Sequence, residues 1–105
     1  MCLRVAVLTS TRADYGLLRW TMRCLQSNPN TELLLIATGT HLSTKFGYTL
    51  DEISADGFTV AAEIPMPIEK SDGFASAEAA SHVMHGMAKV LRELNPDILL
   101  VLGDR

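Results

Sequence analysis

The sequence predicts an α/β fold built on a parallel, doubly wound (Rossmann-like) sheet. Hydrophobic periodicity switches repeatedly between the strand and helix patterns. Two runs, ELLLIAT at 32–38 and DILLVL at 97–102, are almost continuously apolar, as strands buried on both faces are. Strands alternate with helices, so consecutive strands are joined by crossovers, and right-handed crossovers favour the order 3-2-1-4.

The first strand is the β-branched run 3–9. Residues 14–27 form the first helix, with Leu17, Leu18, Met22 and Leu25 on one face, and Asn28, Pro29 and Asn30 end it because proline cannot continue the ladder. The second strand covers 32–38, followed by a polar, glycine-containing loop over 39–48. A short helix over 49–55 turns Leu50 and Ile53 inward and closes at Asp56 and Gly57. Residues 58–64 alternate, with Phe58, Val60, Ala62 and Ile64 on one face, which predicts a half-exposed edge strand. Pro65 and Pro67 break it, and 69–74 form a loop. The longest helix spans 75–94, with Ala80, Val83, Met84, Met87, Leu91 and Leu94 as its core stripe, stopped by Asn95 and Pro96. The fourth strand, 97–102, is apolar on both faces and is expected to lie centrally. Because the chain stops at Arg105 just after it, the expectation is an incomplete domain, 1–105, finished by further chain.

Composition narrows the function. The 105 residues are 48% hydrophobic and 20% charged, the profile of a globular protein and not of a disordered one. Nine Lys and Arg against twelve Asp and Glu give a net charge of −3 with no basic stretch, which argues against a nucleic-acid partner. No apolar run approaches the ~20 residues that span a bilayer, and the N-terminus lacks a signal-peptide core. Cys2 and Cys24 make no disulfide framework, zinc pattern or redox pair, and are expected as small buried or half-buried thiols of a cytoplasmic protein.

In an open α/β sheet, ligands bind outside the carboxyl ends of the strands, where the strand order reverses. The first strand ends in TSTRADYG (9–16), the second in TGTHL (38–42) and the fourth in GDR (103–105). With the order 3-2-1-4, Arg12, Asp104 and Arg105 converge on one crevice. Arginines beside a helix N-terminus suit a phosphate-bearing ligand, and a carboxylate at a strand tip suits proton transfer. The plainer alternatives are an ion pair between Arg12 and Asp14 and a helix-capping role for Asp104. The chain contains neither G-x-G-x-x-G nor G-x-x-x-x-G-K-[ST], which disfavours dinucleotide enzymes and P-loop ATPases. Thr9-Ser10-Thr11 has some likeness to a flavodoxin phosphate loop, so a flavin- or nucleotide-binding module without catalysis is the second reading. His82 and His85 are expected to face solvent, without a metal. Met84 and Met87 read as core filler, and Trp20 as packed or partly exposed.

Four motifs in order carry a family resemblance: T-x-TRADYGLL from Thr9, TGTHLS-x-x-FG from Thr38, TLDEI-x-x-DGF from Thr49 and VLGDR from Val101. Together they resemble the hydrolysing UDP-N-acetylglucosamine 2-epimerases, over the whole length from Arg4 to Arg105. The resemblance implies part of the N-terminal domain of a two-domain glycosyltransferase-B-type fold, with the active site between two Rossmann-like domains and the C-terminal domain absent from this chain. It implies elimination of UDP from UDP-N-acetylglucosamine, then hydration of a 2-acetamidoglucal to N-acetylmannosamine for sialic-acid-type sugars. Asp104 matches a carboxylate assigned acid–base work. Arg12 and Arg105 match arginines that contact UDP, Gly16 a small residue near the nucleotide, and His41 a histidine at the cleft. The resemblance implies no cofactor or metal, a UDP- or GDP-sugar as substrate and a homo-oligomeric full-length protein. Relatives in the family use diacetylated bacillosamine nucleotides, and Gly-Asp-Arg, where others have Gly-Asp-Thr, favours the hydrolysing branch.

Overall fold

All four strands run parallel in the expected order. The computed structural model describes residues 2–42, 49–65 and 73–102. In chain order the elements are β1 (Leu3–Thr9), α1 (Arg12–Ser27), β2 (Thr31–Thr38), a 3-10 turn (Gly39–Leu42), α2 (Leu50–Ala55), β3 (Val60–Ile64), α3 (Gly73–Leu94) and β4 (Ile98–Val101). They form one sheet, β3-β2-β1-β4, with Val5 opposite Leu33 and Ile98, and Val7 opposite Leu35 and Leu100.

Side-chain alternation along β1 and β2 builds two cores, one on each face. Val5, Val7 and Leu35 pack against Tyr15, Leu18 and Met22 of α1, with Leu50, Ile53 and Phe58 beside them. Ala6, Leu34 and Ile36 point the other way, against Met87 and Val90 of α3. Both central strands are therefore covered twice, which is why their sequences lack polar alternation. The start of β4 is pinned to β1 by Arg4, whose N–H donates to the Asp97 carboxylate at 2.8 Å and whose guanidinium reaches the Leu94 carbonyl at 2.6 Å.

Several expectations need correction. α1 begins at Arg12 rather than Asp14, because Thr11 caps it: its hydroxyl accepts from the Asp14 N–H, and the Asp14 carboxylate accepts from the Thr11 N–H in return. Leu17 is 59% exposed; Tyr15, Leu18 and Met22 form the inward row and turn Leu17 out. That row also leaves Cys24 on the outer face. Cys2 precedes β1 at the rim, so both thiols are exposed, not buried. In α3 the buried residues are Ala79, Met87 and Val90, with Val83, Leu91 and Leu94 half-buried, while Ala80 is exposed and Met84 is 75% exposed. The helix is rotated toward β3 relative to the expected stripe. Ala80, Met84 and Leu91 instead line an open apolar groove of about 580 Å³ over Leu8 and Leu99.

β3 does not keep all its apolar residues on one face. The pairing with β2 skips Ala61, Leu35 facing Val60 and Ile36 facing Ala62. This irregularity sends Val60 to the α1 side with Phe58, and Ala62 and Ile64 to the α3 side. β3 is an edge strand, as its alternation predicts. β4 is not central here: it forms the opposite edge, with Ile98 46% and Val101 53% exposed. The expected loop over 69–74 lies mostly outside the described residues, though α3 already includes Gly73 and Phe74. Among the described residues, no helix is long and apolar enough to cross a membrane.

Candidate active site

The carboxyl ends of β1 and β2 meet the first turn of α1, and most of the polar residues met there are buried. Thr9 closes β1, Thr38 closes β2, and His41 follows in the 3-10 turn; all three are buried, together with Asp14 and Thr49. Asp14 folds back over the strand end. Its carboxylate accepts the N–H of Ser10 at 3.1 Å, the N–H of Thr11 at 3.0 Å, the Ser10 hydroxyl at 2.8 Å and the Thr9 hydroxyl. Burial pushes the Asp14 carboxyl upward, but these donors outweigh it and hold the group below its ordinary range.

This arrangement settles what the β1–α1 turn can do. Two N–H groups and two hydroxyls that would cradle a phosphate in a flavodoxin-like loop are occupied by an internal carboxylate, and its negative charge would repel an anion placed there. An anionic ligand at this end of the sheet must be gripped from outside the turn. Arg12, the first residue of α1, is in position to do so. Its side chain is 75% exposed, and its Nε lies 3.3 Å from the Glu52 carboxylate of α2. The ion pair with Asp14 considered above is not formed; Glu52 takes that place. An exposed pair of this kind contributes about 0–1 kcal/mol, so Arg12 is readily surrendered to a stronger anion.

His41 lies beneath this surface. Its Nε2 is 2.8 Å from the Thr9 hydroxyl and its Nδ1 hydrogen-bonds the Thr49 hydroxyl. The Tyr15 ring stands edge-on to it, with centroids 6.1 Å apart. Burial lowers the imidazole below its ordinary value, against the opposing pull of Asp14 and Glu52. The Tyr15 hydroxyl donates to Asp56, and its pKa is driven upward, first by burial and then by that carboxylate. Gly16 lies exposed on α1, and a Cβ built there meets no atom within 4 Å.

Asp104 and Arg105 lie outside the described residues. What is described is that β4, which precedes them in the sequence, runs beside β1, which precedes Arg12 and α1. His82 and His85 are exposed on α3, and among the described residues no group of three potential metal ligands occurs. Trp20 is 69% exposed, with the Arg19 guanidinium 5.3 Å from its ring centre. Sequence reasoning missed Asp14, Thr49 and Glu52. The spacing Thr11-x-x-Asp14 was the available signal for the first, since it is a capping box with Asp in place of Glu. The other two act through tertiary contacts, Thr49 with His41 eight residues away and Glu52 with Arg12 on a separate helix, which local pattern does not reveal.

Comparison with known proteins identifies the family. Residues 23–105 match the family model described as UDP-N-acetylglucosamine 2-epimerase. A hydrolysing UDP-N,N'-diacetylbacillosamine 2-epimerase of Legionella pneumophila is 35% identical over 105 residues, all of this chain and 28% of its own length. A hydrolysing GDP/UDP-N,N'-diacetylbacillosamine 2-epimerase of Campylobacter jejuni is 31% identical over 102 residues, 97% of this chain and 26% of its own. The crystal structure of a Neisseria meningitidis UDP-GlcNAc 2-epimerase bound to UDP-GlcNAc superposes with a TM-score of 0.78 at 18% identity, over 98% of this chain and 26% of that one. That last likeness is one of fold, and it places the four-stranded sheet in a glycosyltransferase-B-type architecture. The chain spans about a quarter of the length of these relatives. The family match covers most of its residues, and the chain belongs to the UDP-N-acetylglucosamine 2-epimerase family.

Proposed function

We propose that this chain supplies the N-terminal part of a two-domain hydrolysing 2-epimerase that acts on a UDP-linked 2-acetamido sugar. The observation that carries the reading is the exposed Arg12 guanidinium at the start of α1, the helix that follows β1, and β1 pairs with β4, the strand that precedes Gly103-Asp104-Arg105 in the sequence. β1 and β4 flank the point where the strand order reverses, the usual ligand position in such sheets.

In this reading Arg12 and Arg105 grip the diphosphate, and Gly16 leaves room for the nucleotide beside α1. Asp104 removes the proton from sugar C2 while the bond from C1 to the diphosphate oxygen breaks, releasing UDP and leaving a C1=C2 double bond. Water then adds across it, oxygen to C1 and hydrogen to C2 on the opposite face, giving the free epimeric sugar. The arginines stabilise the charge that builds on the departing UDP, and the carboxylate supplies the base. UDP-N-acetylglucosamine, giving N-acetylmannosamine, is the primary substrate of this proposal. The 35% and 31% identities to diacetylbacillosamine epimerases favour UDP-N,N'-diacetylbacillosamine as a second candidate.

The test is incubation of the complete protein with each nucleotide sugar in D₂O and in ¹⁸O-water. Free UDP, one deuterium at C2 and one ¹⁸O at C1 of the released epimer are expected. An epimer still joined to UDP, or no UDP released from either substrate, contradicts the proposal.

A further inference from the structure

We propose that His41 is a positioning residue for Arg12: shut away from ligand, it clamps the β1–α1 turn to the start of α2, and so fixes the two segments between which the Arg12 guanidinium lies. The inference rests on the reading of Arg12 as the diphosphate contact.

The hydrogen-bond directions follow from one end of the chain. Asp14 is an ionised acceptor, so the hydroxyl of Thr9 must donate to it. That uses the only Thr9 proton, and Thr9 can then only accept from His41 Nε2, which therefore carries a hydrogen. A neutral imidazole protonated at Nε2 leaves Nδ1 as an acceptor for the Thr49 hydroxyl. The relay thus runs Thr49 to His41 to Thr9 to Asp14, and Asp14 in turn holds the N–H groups of Ser10 and Thr11.

Each end of the relay borders Arg12. Thr11 is the residue before it and caps its helix. Thr49 is the residue just before α2 and makes no capping bond with its own side chain, consistent with its hydroxyl being turned to His41; three residues on, Glu52 pairs with Arg12. His41 is fully buried and both ring nitrogens are engaged, so it has no free atom to offer a substrate. Among the described residues the charged groups that face it are Asp14 from α1 and Glu52 from α2; the Thr11 backbone also bonds the imidazole, and the Tyr15 ring stands edge-on to it.

The experiment is a double-mutant cycle read by UDP titration of the complete protein. His41→Phe keeps a buried ring but removes both bonds, and should weaken UDP about fivefold to tenfold, while His41→Gln, which can again donate to Thr9, recovers part of the loss. In an Arg12→Ala background, His41→Phe should cause no further loss, because the two act as one unit. Thr49→Val, which breaks only the α2 end, should give the same pattern at smaller size. Equal weakening by His41→Phe in both backgrounds, or in neither, overturns the positioning role. Ring nitrogen NMR of the histidine-labelled protein at pH 8 reads the clamp without any ligand: His41 should show the neutral Nε2–H form, and a neutral form protonated at Nδ1 overturns the proposal even if UDP binding proves absent.

Discussion

Asp14 turns back on Ser10 and takes both its N–H, at 3.1 Å, and its hydroxyl, at 2.8 Å. A carboxylate three residues into a helix thereby occupies the place where a nucleotide phosphate sits in many folds of this class, while the exposed Arg12 guanidinium lies outside the turn, paired with Glu52.

Replacing Asp14 by Asn keeps the shape but puts an amide donor against hydrogen-bond donors. The expected cost is about 2 kcal/mol of stability, from a lost helix cap and charge-assisted bonds to a buried group. Urea unfolding of the complete protein checks it, and a midpoint unchanged from wild type contradicts the role given to Asp14.

The order of elements, the 3-2-1-4 sheet and the position of Arg12 were legible because they follow from local period and crossover handedness. Where α3 and β3 sit was not. The stripe on α3 is apolar over more than one face, so periodicity could not say whether Met84 or Val90 turns inward; packing on the buried cluster of Ala6, Leu34, Ile36 and Ile64 decides for Val90. The break at Ala61 is equally silent in the sequence, since an alternating run reads the same with or without a skipped residue. At the site, Glu52 met Arg12 through the packing of α2 on α1, a contact no spacing encodes.

Stability should fall in two steps as pH is lowered. His41 is held neutral, below its ordinary 6.5, so the unfolded chain binds a proton there before the folded one does, and stability is lost as pH drops below 6.5. Asp14 is held below 3.8, so its contribution is complete above that value and disappears as pH falls through its lowered folded pKa. Unfolding midpoints measured from pH 8 to pH 3 should show both steps in the wild type, with the upper step diminished in His41→Gln. An upper step of the same size in that variant contradicts the assignment to His41.

Two glycines should respond oppositely to a methyl group. A Cβ on Gly86 would lie 2.6 Å from Cγ2 of Ile64, a stiff, buried neighbour, so Gly86→Ala should destabilise by about 1–3 kcal/mol despite better helix propensity, and less in an Ile64→Ala background. At Gly16 nothing lies within 4 Å, and Gly16→Ala should raise stability by about 0.5–1 kcal/mol while weakening UDP binding if the nucleotide passes over that face. Thermal unfolding and UDP titration of the same samples separate the two effects; a Gly16→Ala protein that binds UDP as wild type does removes Gly16 from the site.

Asp104→Asn, in the complete protein, should lower kcat by about 10²–10⁴ with little change in UDP affinity, as expected for a group that moves a proton. A near-normal kcat would return Asp104 to a helix-capping role.

The central claim is that Arg12 grips a nucleotide diphosphate, and titration of UDP and FMN into the wild type, Arg12→Ala and Arg12→Lys tests it most directly. Loss of the guanidinium fork should weaken UDP about tenfold to hundredfold, with lysine recovering only part because an ammonium cannot form the paired contact, and FMN should bind poorly throughout. UDP binding indifferent to Arg12, or FMN bound as tightly as UDP, would contradict it.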